Sequence, residues 1–245
     1  MQFSQLFVAV MTPVLLSLSL AGRATAQCSK EEAAKQPKCP SSMDSTISEA
    51  DRVAKELTKE TFDALATNDD FTQRMFDYYM GHACDVLQVQ AVLQQMLDWD
   101  YGFYCADGGE GNMYNGFCSV VFGKDVQSSD ALKPGGFRNC HGKSPDSEIY
   151  RILHEISHAT KFKREDGSEH WVDDGNDAPI KMPRKSSKGG IHTTCYDIEC
   201  ILANAEKNEK CSNGFNASAY SIFIWSIHCK NGTAEGVAPP GPEAS

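Results

Sequence analysis

The chain has 245 residues, with 33 Asp and Glu against 23 Lys and Arg and a formal net charge of −10. That balance excludes nucleic acid or an anionic membrane surface as the expected partner and mildly favours basic substrates. Past the first residues, no apolar run approaches the ~18–20 residues needed to span a bilayer, while 41% hydrophobic content supports one well-buried domain.

Residues Phe7 to Ala21 are almost all apolar or small, and Ala24-Thr25-Ala26 is a small-x-small cleavage site. This reads as a secretory signal peptide, 1–26, cut after Ala26. Its removal leaves 219 residues and, with the loss of Arg23, a charge of −11. The mature protein is expected to be soluble, secreted and monomeric. All ten cysteines (Cys28, Cys39, Cys84, Cys105, Cys118, Cys140, Cys195, Cys200, Cys211, Cys229) follow the cut, and an even count in a secreted chain implies up to five disulfides. No CxxC pair is present, which argues against a cysteine zinc site. Asn216-Ala217-Ser218 and Asn231-Gly232-Thr233 are sequons for glycans.

Residues 27–46, rich in Lys, Pro and Ser, read as an N-terminal arm tethered by Cys28 and Cys39, ahead of one domain over 47–230. From Ile47, Ala50, Val53, Leu57, Thr61, Ala64 and Leu65 recur at helical spacing. Further helices are expected over Asp70–Tyr79 and Cys84–Trp99. Between Tyr101 and Lys124 the pieces GFYC and FCSVVF predict short strands. Ser144 and Pro145 then suit a helix start, with Asp146 and Glu148 at its positive end. Ile149, Ile152, Leu153 and Ile156 form the buried stripe of that helix. Lys161 to Gly190 is polar and rich in Gly and Pro, and reads as a long surface loop. Ile198–Lys207 reads as helix, Ala217–Ile227 as buried, and 231–245 as a disordered tail.

Within the marked helix stands His154-Glu155-Ile156-Ser157-His158. Histidines at i and i+4 project from adjacent turns, opposite the apolar stripe, so both can reach one Zn²⁺ ion. Glu155 falls beside them, where a general base can take a proton from an attacking water and deliver it to a leaving amine. This is the H-E-x-x-H signature of metallopeptidases. A catalytic zinc needs a third protein ligand. Arg164 stands where the HExxHxxGxxH pattern has its third histidine, which excludes that class. A thermolysin-like site needs a downstream glutamate, for which Glu199 is a candidate.

The chain resembles the aspzincins, the fungal deuterolysins and lysine-specific metallo-endopeptidases. These carry HExxH on one helix, then G-T-x-D-x-x-Y-G, a helix, and an N-A-D-S-Y-like segment. Here Tyr196 precedes the helix from Ile198, and Asn216-Ala217-Ser218-Ala219-Tyr220 matches the terminal segment. Phe103-Tyr104-Cys105-Ala106-Asp107 and Asn139-Cys140 match the upstream landmarks. The resemblance implies a mainly helical α+β, zincin-like fold with a small β-sheet, stapled by disulfides. It also implies a secreted zinc endopeptidase acting on protein or peptide substrates. His154 and His158 would bind the single zinc ion, Glu155 would be the general base, and Tyr196 would hydrogen-bond the developing oxyanion. The family aspartate stands three residues before the tyrosine, where this chain has Thr193, a poor ligand. His192 is the first substitute for the third ligand, Asp197 the next, and Asp174 after it, from the cluster Asp173, Asp174 and Asp177. His82, His141, His170 and His228 are left as structural or surface histidines. Two rivals to the peptidase are a secreted zinc-binding or host-interaction protein without turnover and a metal-free disulfide-rich domain.

Overall fold

The computed structural model describes residues 30–67, 69–100, 102–106, 114–115, 119–127, 148–164, 166–176, 178–185, 191–207 and 210–229. The expected signal segment, Cys28, His141, the Ser144–Pro145 helix start, Asp177, Asn231 and the tail lie outside the described residues.

A single turn, α1 (Lys30–Ala33), is followed by three longer helices, α2 (Asp44–Thr67), α3 (Asp70–Tyr79) and α4 (Val86–Leu97). Their starts follow from local chemistry. The Asp69 carboxylate accepts hydrogen bonds from the Phe71 and Thr72 amides, satisfying N–H groups that the first turn of α3 leaves unpaired. Asp85 accepts from Leu87 in the same way at α4. Along α2, Ala50, Val53, Leu57, Thr61, Ala64 and Leu65 are buried, the stripe expected from their spacing. Arg52 pairs with Glu49 and Glu56 on the solvent side of that helix.

The strands β1 (Phe103–Cys105), β2 (Tyr114–Asn115) and β3 (Val120–Phe122) form a small sheet in the order β1-β3-β2. β1 runs parallel to β3, with Phe103 opposite Val120, and β2 runs antiparallel, with Tyr114 opposite Val121. Val120, Val121 and Phe122 are all buried, as expected of a strand covered on both faces. A short α5 (Lys124–Gln127) leads towards α6 (Glu148–Ser157), the helix of the motif.

The segment after α6 departs from the expected loop. It carries an antiparallel hairpin of β4 (Lys161–Lys163) and β5 (Glu169–Trp171), then β6 (Met182–Lys185), which pairs with β7 (Ile191–Thr194). In Lys161-Phe162-Lys163 only the phenylalanine is buried, and an alternation of three residues is too short to register as a period. Cross-strand contacts hold the pair instead. The Lys161 ammonium lies 4.8 Å from the Trp171 ring centroid and 3.9 Å from the Glu169 carboxylate.

The last helices are α7 (Ile198–Lys207) and α8 (Ala217–His228). Every residue of α8 from Ala217 to Ile227 is buried. It packs against α6, α2 and α3, as a helix apolar on all sides must. Among the described residues no helix is long and apolar enough to cross a membrane. Disulfides join Cys39 to Cys105, Cys84 to Cys211 and Cys195 to Cys200, and Cys229 is also disulfide-bonded. The first two close loops of 66 and 127 residues, which a loop-closure argument values at roughly 4–5 kcal/mol each. The architecture is mixed, mostly helical with small sheets, in line with the α+β expectation.

Candidate metal centre

The four stripe residues of α6, Ile149, Ile152, Leu153 and Ile156, are buried, and the phase of the helix sets His154 and His158 on its other side. The end of the helix is reinforced by its own side chains. Ser157 Oγ donates to the His154 carbonyl at 2.7 Å, and Thr160 Oγ1 donates to the Ser157 carbonyl at 2.6 Å. His158, one residue past the helix, stays in helical phase. The two imidazoles meet edge to face, with centroids 4.7 Å apart.

The chain then leaves along β4, returns along β5 and comes back to α6. The Val172 amide donates to the Thr160 carbonyl at 3.0 Å, and the Val172 carbonyl lies 3.0 Å from His158 Nδ1. Asp173 locks the next turn, because its amide donates to the Phe215 carbonyl and its own carbonyl accepts from the Ala217 amide, both at 2.8 Å. Its carboxylate accepts from the Gly175 and Asn176 amides, the aspartate turn expected of such a cluster. Gly175 has φ +70°, and a Cβ there would lie 2.8 Å from Asn216 Nδ2 and 2.9 Å from Cys195 Cβ. Only glycine satisfies both constraints. This turn aims Asp174 back at the histidines.

Three donor atoms therefore crowd one point. His154 Nε2 and His158 Nε2 are 3.1 Å apart, and each is 3.2 Å from Asp174 Oδ1. Tetrahedral zinc with bonds of ~2.0–2.1 Å sets its ligand atoms roughly 3.3–3.4 Å apart, so the triangle is nearly the right size before any adjustment. Asp174 Oδ1 is buried and accepts no well-directed hydrogen bond, although both nitrogens are within ion-pair distance. A carbonyl only accepts, so the Val172 contact puts the proton of neutral His158 on Nδ1 and leaves its Nε2 lone pair facing the triangle. A divalent cation satisfies all three donors at once. Two neutral imidazoles and a carboxylate are a donor set that zinc accepts.

Without the cation, charge does the same work. Burial lowers the basicity of His158, but the Asp174 carboxylate 3.2 Å away, with Glu155 adding to it, more than offsets this and raises the imidazole to about 9. Burial raises Asp174, and the two imidazoles beside it outweigh that, holding the carboxyl well below the usual carboxylate range. The stability that His158 contributes to the metal-free protein is fully present below its ordinary value of 6.5 and is lost as pH rises through about 9. That from Asp174 is present above its ordinary 3.8 and is lost as pH falls below it. The metal-free protein is expected to melt highest between these limits, with a decline towards pH 9. At pH 7, zinc uptake is expected to expel about one proton from His158. A zinc titration in weakly buffered indicator solution checks this; uptake without proton release shows that His158 was already neutral.

Tyr196 stands at the centre. Its ring stacks on His154 at 5.4 Å and 24°. Cys195, just before it, is held by the disulfide to Cys200 and by a hydrogen bond of 2.8 Å from Asn216 Nδ2 to its carbonyl. Glu155 is half-buried on the same helix as the histidines. His192 lies in β7 opposite Arg184, and its side chain is outside the described residues. Asp197 is exposed at the entrance to α7 and is not in the donor group; the carboxylate that meets both histidines is Asp174. His82 and His228 are paired with Asp77 and Glu60 at 3.3 and 3.2 Å, and His170 packs on Phe215, roles away from the centre.

Two contributors lie in the segment Asn216–Tyr220, to which sequence analysis gave no role at the centre. Asn216 caps α8 through the Ser218 and Ala219 amides, and Ser218 Oγ lies 3.1 Å from His154 Nδ1. Asn216 is fully buried, with its amide nitrogen engaged on Cys195, so the fold leaves no room for a glycan at that sequon. A cavity of about 710 Å³ between α4, β4 and the Lys210–Phe215 segment, lined by Phe162, Phe215, Arg164, Asp166 and Lys210, includes none of the three donors. The chemistry is placed at the donor triangle because that cavity offers no metal-ligand set.

No family pattern matches the chain, and no curated protein matches it in sequence. A solved structure matches in shape. A zinc peptidase from Grifola frondosa superposes with a TM-score of 0.50 at 16% identity, covering 78% of this chain and 99% of that one. At that identity the likeness is one of fold: this chain is built like that peptidase.

Proposed function

We propose that this chain is a secreted zinc-dependent endopeptidase of the aspzincin type, with His154, His158 and Asp174 as ligands of one zinc ion. The observation that carries the reading is the triangle of two Nε2 atoms and one carboxylate oxygen, with edges of 3.1–3.2 Å. The fold shared with a zinc peptidase supports it. His192, the first choice from the sequence, gives way here to Asp174.

A zinc ion bound there supplies Lewis acidity to a water molecule and to the peptide carbonyl. Glu155 takes a proton from the attacking water as its oxygen bonds to the carbonyl carbon, and delivers that proton to the nitrogen as the C–N bond breaks. Tyr196, beside His154, donates a hydrogen bond to the oxygen on which charge develops. No covalent enzyme intermediate is needed. The substrate is a protein or peptide met outside the cell, and the enzyme works as a monomer. The reading without turnover drew its weight from Thr193, where the resemblance calls for an aspartate; Asp174 supplies that carboxylate from another position.

The direct test is metal analysis of the purified mature protein, which is expected to hold about one zinc per chain. Casein cleavage should disappear on chelation and return on adding zinc. A protein that takes up no zinc on reconstitution removes the reading, and one that takes it up and cleaves nothing restores the rival without turnover.

A further inference from the structure

We propose that Ser218 is the positioning residue for His154, accepting the proton on Nδ1 and so presenting the Nε2 lone pair to the metal. The proposal rests on the zinc reading above and adds to it a residue outside the motif.

The argument starts from the cost of burying a hydroxyl. α8 is apolar almost throughout, yet it carries three buried serines, Ser218, Ser221 and Ser226. A buried hydroxyl without a partner is costly. Ser221 Oγ donates to the Ala217 carbonyl at 2.8 Å and Ser226 Oγ to the Ile222 carbonyl at 2.6 Å, each one turn back in the same helix. Ser218 does not follow them. One turn back from it is Gly214, whose carbonyl accepts from the Tyr220 hydroxyl. Nor is Ser218 the cap, since the Asn216 side chain accepts from the first amides. Its hydroxyl meets His154 Nδ1 instead, at 3.1 Å across the α6–α8 interface.

The two rings are thus oriented by different means. His158 has the Val172 main-chain carbonyl, which no substitution removes. His154 has a side-chain hydroxyl, which accepts as well as donates, and a ligand through Nε2 requires it to accept. Ser218 is itself held, because its carbonyl accepts from the Tyr150 hydroxyl at 3.1 Å. Burial pushes the Tyr150 phenol well above its ordinary value, so that donor keeps its proton.

The experiment compares zinc affinity, by competition with a chromophoric chelator, in the full mature protein and three variants. Ser218→Ala should weaken zinc binding by about 10–100-fold, the usual cost of losing a partner behind a ligand. Ser218→Thr, which keeps the hydroxyl, should restore most of it. Tyr150→Phe removes a neighbour of both the Ser218 carbonyl and its hydroxyl but keeps that hydroxyl, so it should lose less zinc affinity than Ser218→Ala; recovery in Ser218→Thr separates positioning from packing. The ring ¹⁵N shifts of the zinc form should put the His154 proton on Nδ1 in wild type and in Ser218→Thr, which keeps the test open if the alanine variant folds poorly. Unchanged affinity in a folded Ser218→Ala protein, or an unprotonated Nδ1, overturns the role of Ser218 alone. A wild-type protein that takes up no zinc overturns the centre and this role together.

Discussion

Glu155→Gln is expected to lower the rate of peptide cleavage by about 10²–10⁴-fold while zinc content stays at the wild-type level. The amide keeps the shape of the side chain and loses the basic oxygen, so the attacking water keeps its place and has no acceptor for its proton. Glu155 is not a ligand in the donor group, and its charge is only one of several that raise His158. The metal site should therefore survive the change. Steady-state cleavage of a quenched peptide, with metal analysis of the same preparation, measures both quantities. Retained cleavage would take the general base away from Glu155, and lost zinc would make it a ligand.

Asp174→Asn is expected to weaken zinc binding by more than about 100-fold, beyond the usual cost of losing a residue behind a ligand, whereas His192→Ala and Asp197→Ala leave it near wild type. The carboxylate is one of three donors, and its charge stabilises the cation. An amide in its place is neutral and presents the same buried position without that charge. The surrounding turn should persist, because Asp173, Gly175 and Asn176 make its internal hydrogen bonds. Equilibrium zinc competition on the three variants distinguishes the candidates. A His192→Ala protein that loses zinc while Asp174→Asn keeps it would reverse the assignment.

The ranking of those ligands marks where sequence reading gave out. An aspartate-rich loop is usually a solvated turn, and Asp173 is such a turn, with its carboxylate spent on the Gly175 and Asn176 amides. Its neighbour Asp174 is the ligand candidate. Both bridge to Asn216 at the entry to α8, and what separates them is the use of each carboxylate: Asp173 spends its own within the turn, and Asp174 turns to the histidines. The resemblance placed the aspartate three residues before the tyrosine. Asp174 stands 22 residues before Tyr196, with the paired strands β6 and β7 between them. Ser218 was equally hidden, since the serine of an Asn-x-Ser sequon reads as part of a glycosylation signal until its helix is known to be buried.

What the chain determined by itself is whatever repeats over a single turn of helix. The stripe Ile149, Ile152, Leu153 and Ile156, the placement of His154 and His158 opposite it, and the starts of α3 and α4 are set by interactions within a few residues. Only the tertiary structure brings Asp174 to the two histidines and the Ser218 hydroxyl to His154. Asp174 reaches the motif through a three-residue hairpin, a left-handed glycine and the cap of a helix more than forty residues later in the chain. Contacts between distant segments depend on how each buries its apolar face, and spacing along the chain does not encode that.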